Sequence, residues 1–128
     1  PCLTRIGEKL PQSYAWATLR DTGAKIAFSS DWPVSPLDPF LGMQSAMTAV
    51  PLSPACPPQN QSLMDTPESF TATGAYTEFA EHKKGKLMPG MLADVILLNS
   101  NIEATPAEQL SKVKPILTIC DGRITFDT

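Results

Sequence analysis

The sequence predicts an α/β chain whose helical first part gives way to a small β-rich unit. Three observations carry that expectation. A stretch of helical period ends at Gly23 and is followed at once by a short apolar run at 25–28. Two later stretches, Asp38-Pro39 and Thr66-Pro67, open with helix-start signatures. Near the end, two runs rich in β-branched residues flank Asp121-Gly122.

Taken in order, Pro11 to Asp21 reads as a helix, because Tyr14, Ala15, Thr18 and Leu19 follow helical spacing and Gly23 supplies a stop. Lys25 to Phe28 reads as a buried strand. Helix, glycine turn and short buried strand form one unit of a parallel sheet or barrel. Asp38 then caps a second helix with Pro39 at its first position, and Phe40, Met43 and Met47 give it an apolar stripe that ends near Pro51. Residues 51–62, with four prolines and no period, read as an exposed loop. Thr66-Pro67-Glu68 starts a third helix, with Phe70, Thr73, Ala75 and Phe79 on its buried side and Gly74 weakening it by about 1 kcal/mol. From Gly85 the character changes. The run Ala93 to Leu98, then "PILTIC" and "RITF" joined by Asp121-Gly122, read as strands with a hairpin, and Thr105-Pro106-Ala107-Glu108 opens a short helix between them. The 25–28 strand has no parallel partner in the sequence. The first half therefore reads as part of something larger.

The bulk properties exclude several functions. The chain has 128 residues, 42% of them hydrophobic, enough for a packed core. Its net charge is −3, with no basic face, so nucleic acid is not an expected partner. Lys83, Lys84 and Lys86 lie beside Glu78 and Glu81 and read as a solvated turn. No apolar run reaches the roughly 20 residues a membrane helix needs, and no signal peptide is visible, so no membrane partner is expected. Pro1 rather than Met opens the chain, and the natural start is expected to lie upstream. Cys2, Cys56 and Cys120 are widely spaced, form no zinc pattern, and read as reduced thiols of a cytoplasmic protein. The sequon Asn60-Gln61-Ser62 carries no weight without a secretory signal.

Chemistry concentrates in "FSSDWPVSPLDP". Asp31 directly follows the expected strand, and in α/β barrels reactive groups sit at the C-terminal ends of strands. A carboxylate there can hold a metal ion or take a proton from water, and the proline-rich loop limits the entropy of the site wall. Asp31 as a mere turn or helix cap remains open on the residues alone. His82, the one histidine, lies by Lys83 and Lys84 at an expected helix end, where imidazole commonly sits. No serine-nucleophile elbow and no phosphate-binding glycine loop occur.

The stretch "GAKIAFSSDWPVSPLDPFLGMQSAMT" resembles the end of the catalytic barrel in metal-dependent amidohydrolases, specifically their YtcJ-like branch. "TGAYTEFAEHKKGKLMPGMLADVILLNSN" resembles that family's second signature, and "ILTICDGRITF" its final hairpin. The match runs in order along nearly the whole chain. It implies residues 1–84 as the last part of a (β/α)8 metallo-hydrolase barrel and 85–128 as strands of a small β-sandwich, the composite domain. It implies Asp31 as metal ligand and general base, activating water for attack on an amide-type carbon–nitrogen bond. The remaining ligands are expected upstream of Pro1. A divalent metal, zinc, is the implied cofactor of the longer protein, and a small-molecule substrate and the rest of the barrel are the implied partners; a homo-oligomer stays open, since the sequence does not fix the oligomeric state. Asp94 is implied to be structural. Two departures stand out: Ser29 replaces the family's usual glycine, and Pro67 implies a late helix start. Residues 1–128 alone are expected to be inactive. The alternatives are a regulatory or binding protein that keeps the fold without the chemistry, separable by the upstream histidines, and an independent small-molecule binding domain.

Overall fold

A computed structural model of the protein describes residues 2–128. Its order is α1 (Cys2–Ile6), a 3-10 turn (Gly7–Gln12), α2 (Trp16–Asp21), α3 (Pro39–Thr48), α4 (Asp65–Phe70) and α5 (Ala72–Thr77). Then come β1 (Val95–Leu98), 3-10 turns at Ile102–Ala104 and Ala107–Lys112, β2 (Pro115–Cys120) and β3 (Arg123–Asp127). The α/β class and the change of character after Gly85 stand as expected.

The helix expected over Pro11–Asp21 is two pieces. Tyr14 has φ +55, outside the helical region, so the chain turns there and α2 begins at Trp16. The stop at Gly23 is as expected, with φ +86 and its amide donating to the Arg20 carbonyl at 2.8 Å. Residues 24–30 carry no regular secondary structure and are not a ladder strand. Among the described residues no strand lies beside them. Among the described residues their hydrogen bond to α4 is that of the Phe28 amide, which donates to the Ser69 carbonyl at 3.2 Å.

Helix α3 has the expected start. Asp38 accepts the Phe40 amide on its carboxylate at 2.9 Å, with Pro39 at the first position. Phe40 and Met43 are buried with Leu110 and Val113, and Met47, Leu63, Phe70, Leu98 and Ile102 pack against them. The segment opened by Pro106 is a 3-10 turn rather than an α-helix, with no side-chain cap bond at Pro106. It delivers Leu110 to the face of α3. Gln44 on α3 accepts the Ser111 amide at 2.9 Å, which fixes that docking.

The third expected helix starts before Pro67, not late. Pro67 sits in the first turn of α4, where its missing N–H costs no helix bond. The helix then breaks at Thr71 (φ −126, ψ −86). Thr73 and Ala75 are buried as expected, but α5 ends at Thr77, and Phe79 lies beyond it with φ +60 and is 84% exposed rather than buried.

The β unit is one antiparallel sheet of order β1-β2-β3. Ile96 faces Thr118, which faces Phe126. Asp121 (φ +49) and Gly122 (φ +74) make the expected two-residue turn, which needs positive φ at both positions. No helix among the described residues is long and apolar enough to cross a membrane.

Candidate active site

The irregular segment 24–30 delivers Asp31 to the surface. There the backbone turns left-handed, at φ +51, a conformation aspartate tolerates better than most residues. The turn is closed by main chain: the Asp31 carbonyl accepts the Val34 amide at 2.8 Å. Trp32-Pro33 is a cis peptide, and Trp32 and Val34 are exposed. Among the described residues the Asp31 carboxylate takes no hydrogen bond. The structural work falls to Asp38 instead, which caps α3 through Oδ1 and pairs the Lys114 ammonium through Oδ2. Asp31 therefore does not cap the helix that follows it.

An apolar cavity of about 780 Å³ opens beside this loop. Three aromatic rings form one wall: Trp16 meets Phe28 edge-on and Phe28 meets Phe70, each pair 6.0 Å apart between centroids. Ser29 and Ser30 belong to its lining, and Asp31 does not.

The polar residues behind the loop were not singled out by sequence. Arg20 at the end of α2 donates from Nε to the Gln61 side-chain oxygen and from Nη2 to Ser69 Oγ, both at 2.7 Å. Its Nη1 lies 3.5 Å from Asp65 Oδ1. Gln61, Thr66 and Ser69 are buried, so the loop 51–62, read as exposed, ends in a buried polar cluster. The amide trio Gln59-Asn60-Gln61 was the only local hint. Asn60 donates to the Met47 carbonyl at 2.6 Å and Gln61 N–H to the Ala46 carbonyl at 2.9 Å, which holds the end of α3.

The other flagged residues stand apart. His82 is exposed in the turn after α5. Lys84 pairs Glu78 at 2.7 Å, and the hydrogen bond and charge of that carboxylate raise the ammonium above the usual lysine value. Asp94 accepts the Asp121 amide at 2.8 Å and so ties the start of β1 to the hairpin turn, a structural task. Cys56 and Cys120 are free thiols, and the Cys2 side chain lies outside the described residues. Among the described residues no three His, Cys, Asp or Glu side chains come together.

The amidohydrolase family model matches residues 4–126. The chain is 30% identical over 135 residues to the putative amidohydrolase YtcJ of Bacillus subtilis (strain 168), across 98% of this chain and 25% of that protein. It is 31% identical over 93 residues to Protein LONG AFTER FAR-RED 3 of Arabidopsis thaliana, across 70% of this chain and 16% of that one. The crystal structure of an amidohydrolase from Thermotoga maritima MSB8 superposes with a TM-score of 0.70 at 21% identity, covering 93% of this chain and 26% of the other. The chain thus spans about a quarter or less of the length of these proteins. Its family is set by the match along almost its entire length: the chain belongs to the amidohydrolase family.

Proposed function

We propose that this chain is the C-terminal part of a metal-dependent amidohydrolase that cleaves carbon–nitrogen bonds of amide type in small molecules. In this reading residues 1–84 complete a catalytic barrel and 85–128 contribute strands to a composite β domain. Asp31 is the reactive group. Its carboxylate accepts a proton from the water that attacks the amide carbon. The observation that carries the reading is the state of Asp31: exposed, in a left-handed turn after segment 24–30, with its carboxylate engaged by no other described residue. A stiff loop follows it, and a different aspartate caps the next helix. A divalent metal, with zinc the expected ion, would take its other ligands from residues outside this chain.

The test is Asp31→Asn in the whole protein that carries this chain. Asparagine keeps the shape but takes no proton at neutral pH. The expected result is a fall in kcat of about 10²- to 10⁴-fold with the melting temperature nearly unchanged. An unchanged kcat removes the assignment.

A further inference from the structure

We infer that Arg20 is a positioning residue for the Asp31 segment, acting through Ser69. This rests on the reading of Asp31 as the reactive carboxylate, but its geometry stands independently. The guanidinium fork reaches Gln61 and Ser69 at 2.7 Å each, with Asp65 at 3.5 Å. Ser69 Oγ accepts from Arg20 and donates to the Asp65 carbonyl at 2.9 Å, so the hydroxyl is used in both directions. The same residue's carbonyl accepts the Phe28 amide, three residues before Asp31. That bond is the main-chain tie of segment 24–30 to α4, because no ladder partner lies beside it among the described residues. Ser69 is fully buried and Gln61 nearly so. Removing the fork would leave buried acceptors unpaired and free Ser69 to shift, and Phe28 with it. Only a planar, multi-donor cation can serve these acceptors together. Arg20 also joins α2, the end of the loop 51–62 and the start of α4, so one side chain sets the frame from which the Asp31 loop projects.

The test is amide hydrogen exchange in the full chain for wild type, Arg20→Gln, Arg20→Lys and Ser69→Ala. The Asn99 amide, which donates to the Lys114 carbonyl at 3.0 Å far along the chain, is the internal reference. In Arg20→Gln, exchange at Phe28 should speed up about tenfold or more relative to Asn99, the effect expected for losing a charge-assisted bond. Arg20→Lys should lie between, since an ammonium keeps the charge without the fork. Ser69→Ala removes one acceptor, keeps the carbonyl and should show the same local acceleration, so it carries the test on its own should Arg20→Gln not fold. Equal acceleration at Phe28 and Asn99 means general destabilisation and overturns the inference, as does no change at Phe28. Exchange reads position and kcat reads chemistry. A local acceleration together with a silent Asp31→Asn would therefore sink the catalytic reading, leaving Arg20 as an organiser of the loop.

Discussion

Asp38 engages two partners at once, the Phe40 amide through Oδ1 and the Lys114 ammonium through Oδ2. Asp38→Ala removes both and should cost about 1–2 kcal/mol, most of it the cap. Asp38→Asn keeps the cap and should recover most of that loss. Urea unfolding followed by the helix signal distinguishes the two, and equal losses would assign the effect to the ion pair. At Lys84 the sign of the pH dependence is fixed by its partner. Glu78 raises the folded-state ammonium above the ordinary value, so the contribution is complete below about pH 10.4 and fades as pH climbs through the raised value. The difference in melting temperature between wild type and Lys84→Gln should therefore be small at neutral pH, since the pair is exposed, and should vanish in strong alkali. A difference that grows with pH would contradict the pairing.

Two glycines with positive φ separate strain from crowding at the scale of elements. Gly122 has open space around it, so Gly122→Ala adds only left-handed strain, about 1 kcal/mol. Gly85, at φ +91, would place a Cβ 2.9 Å from Ala72 Cα and 2.9 Å from the Ala75 side chain, both held by the helix α5. Gly85→Ala should cost more than Gly122→Ala by at least about 1 kcal/mol. Comparable losses in denaturant titrations would mean that the chain at 85 gives way easily. What sequence could reveal follows the same division between local and distant causes. The α3 cap and the Asp-Gly turn are decided within a few residues, and both were legible. The break at Tyr14, the break at Thr71 and the 3-10 form of 107–112 depend on which aromatic or apolar side chains must meet, and period alone does not report that. Asp31 was legible as a candidate because a short apolar run, a carboxylate and prolines are contiguous. The Arg20 cluster was not, because its bonds join residues 41 and 49 positions apart.

At the scale of the molecule the surface is too large for the mass. A compact protein of 13.8 kDa exposes roughly 6,600 Å² by the usual scaling, against 9003 Å² here. The excess of about 2,400 Å² matches one side of a large obligate interface in scale. It is apolar in character: Val34, Leu37, Val50, Leu87 and Phe79 are all exposed, while the buried hydrophobic cluster rests on Phe40, Met43, Leu110 and Val113. This chain on its own should therefore bind a hydrophobic dye, associate as concentration rises and melt over a broad range. A sharp transition in a monodisperse, dye-free monomer would show that the exposed faces need no cover.

Catalysis by this chain alone is constrained by donor count more than by stability. Asp31 offers one carboxylate, His82 is exposed in the turn after α5, and among the described residues no third donor joins either. A hydrolytic metal site commonly takes three protein ligands and keeps one open position. One carboxylate leaves the ion mostly hydrated, and a water molecule beside it has neither a lowered pKa nor a fixed approach to an amide carbon. Without those terms the Asp31 carboxylate has no activated water from which to take a proton. The 128-residue chain, loaded with zinc, should show no amide hydrolysis above background, and zinc titration should show no tight site. Turnover that a chelator abolishes and Asp31→Asn removes would show instead that the chain assembles its own metal site, for example by bringing Asp31 of several copies together.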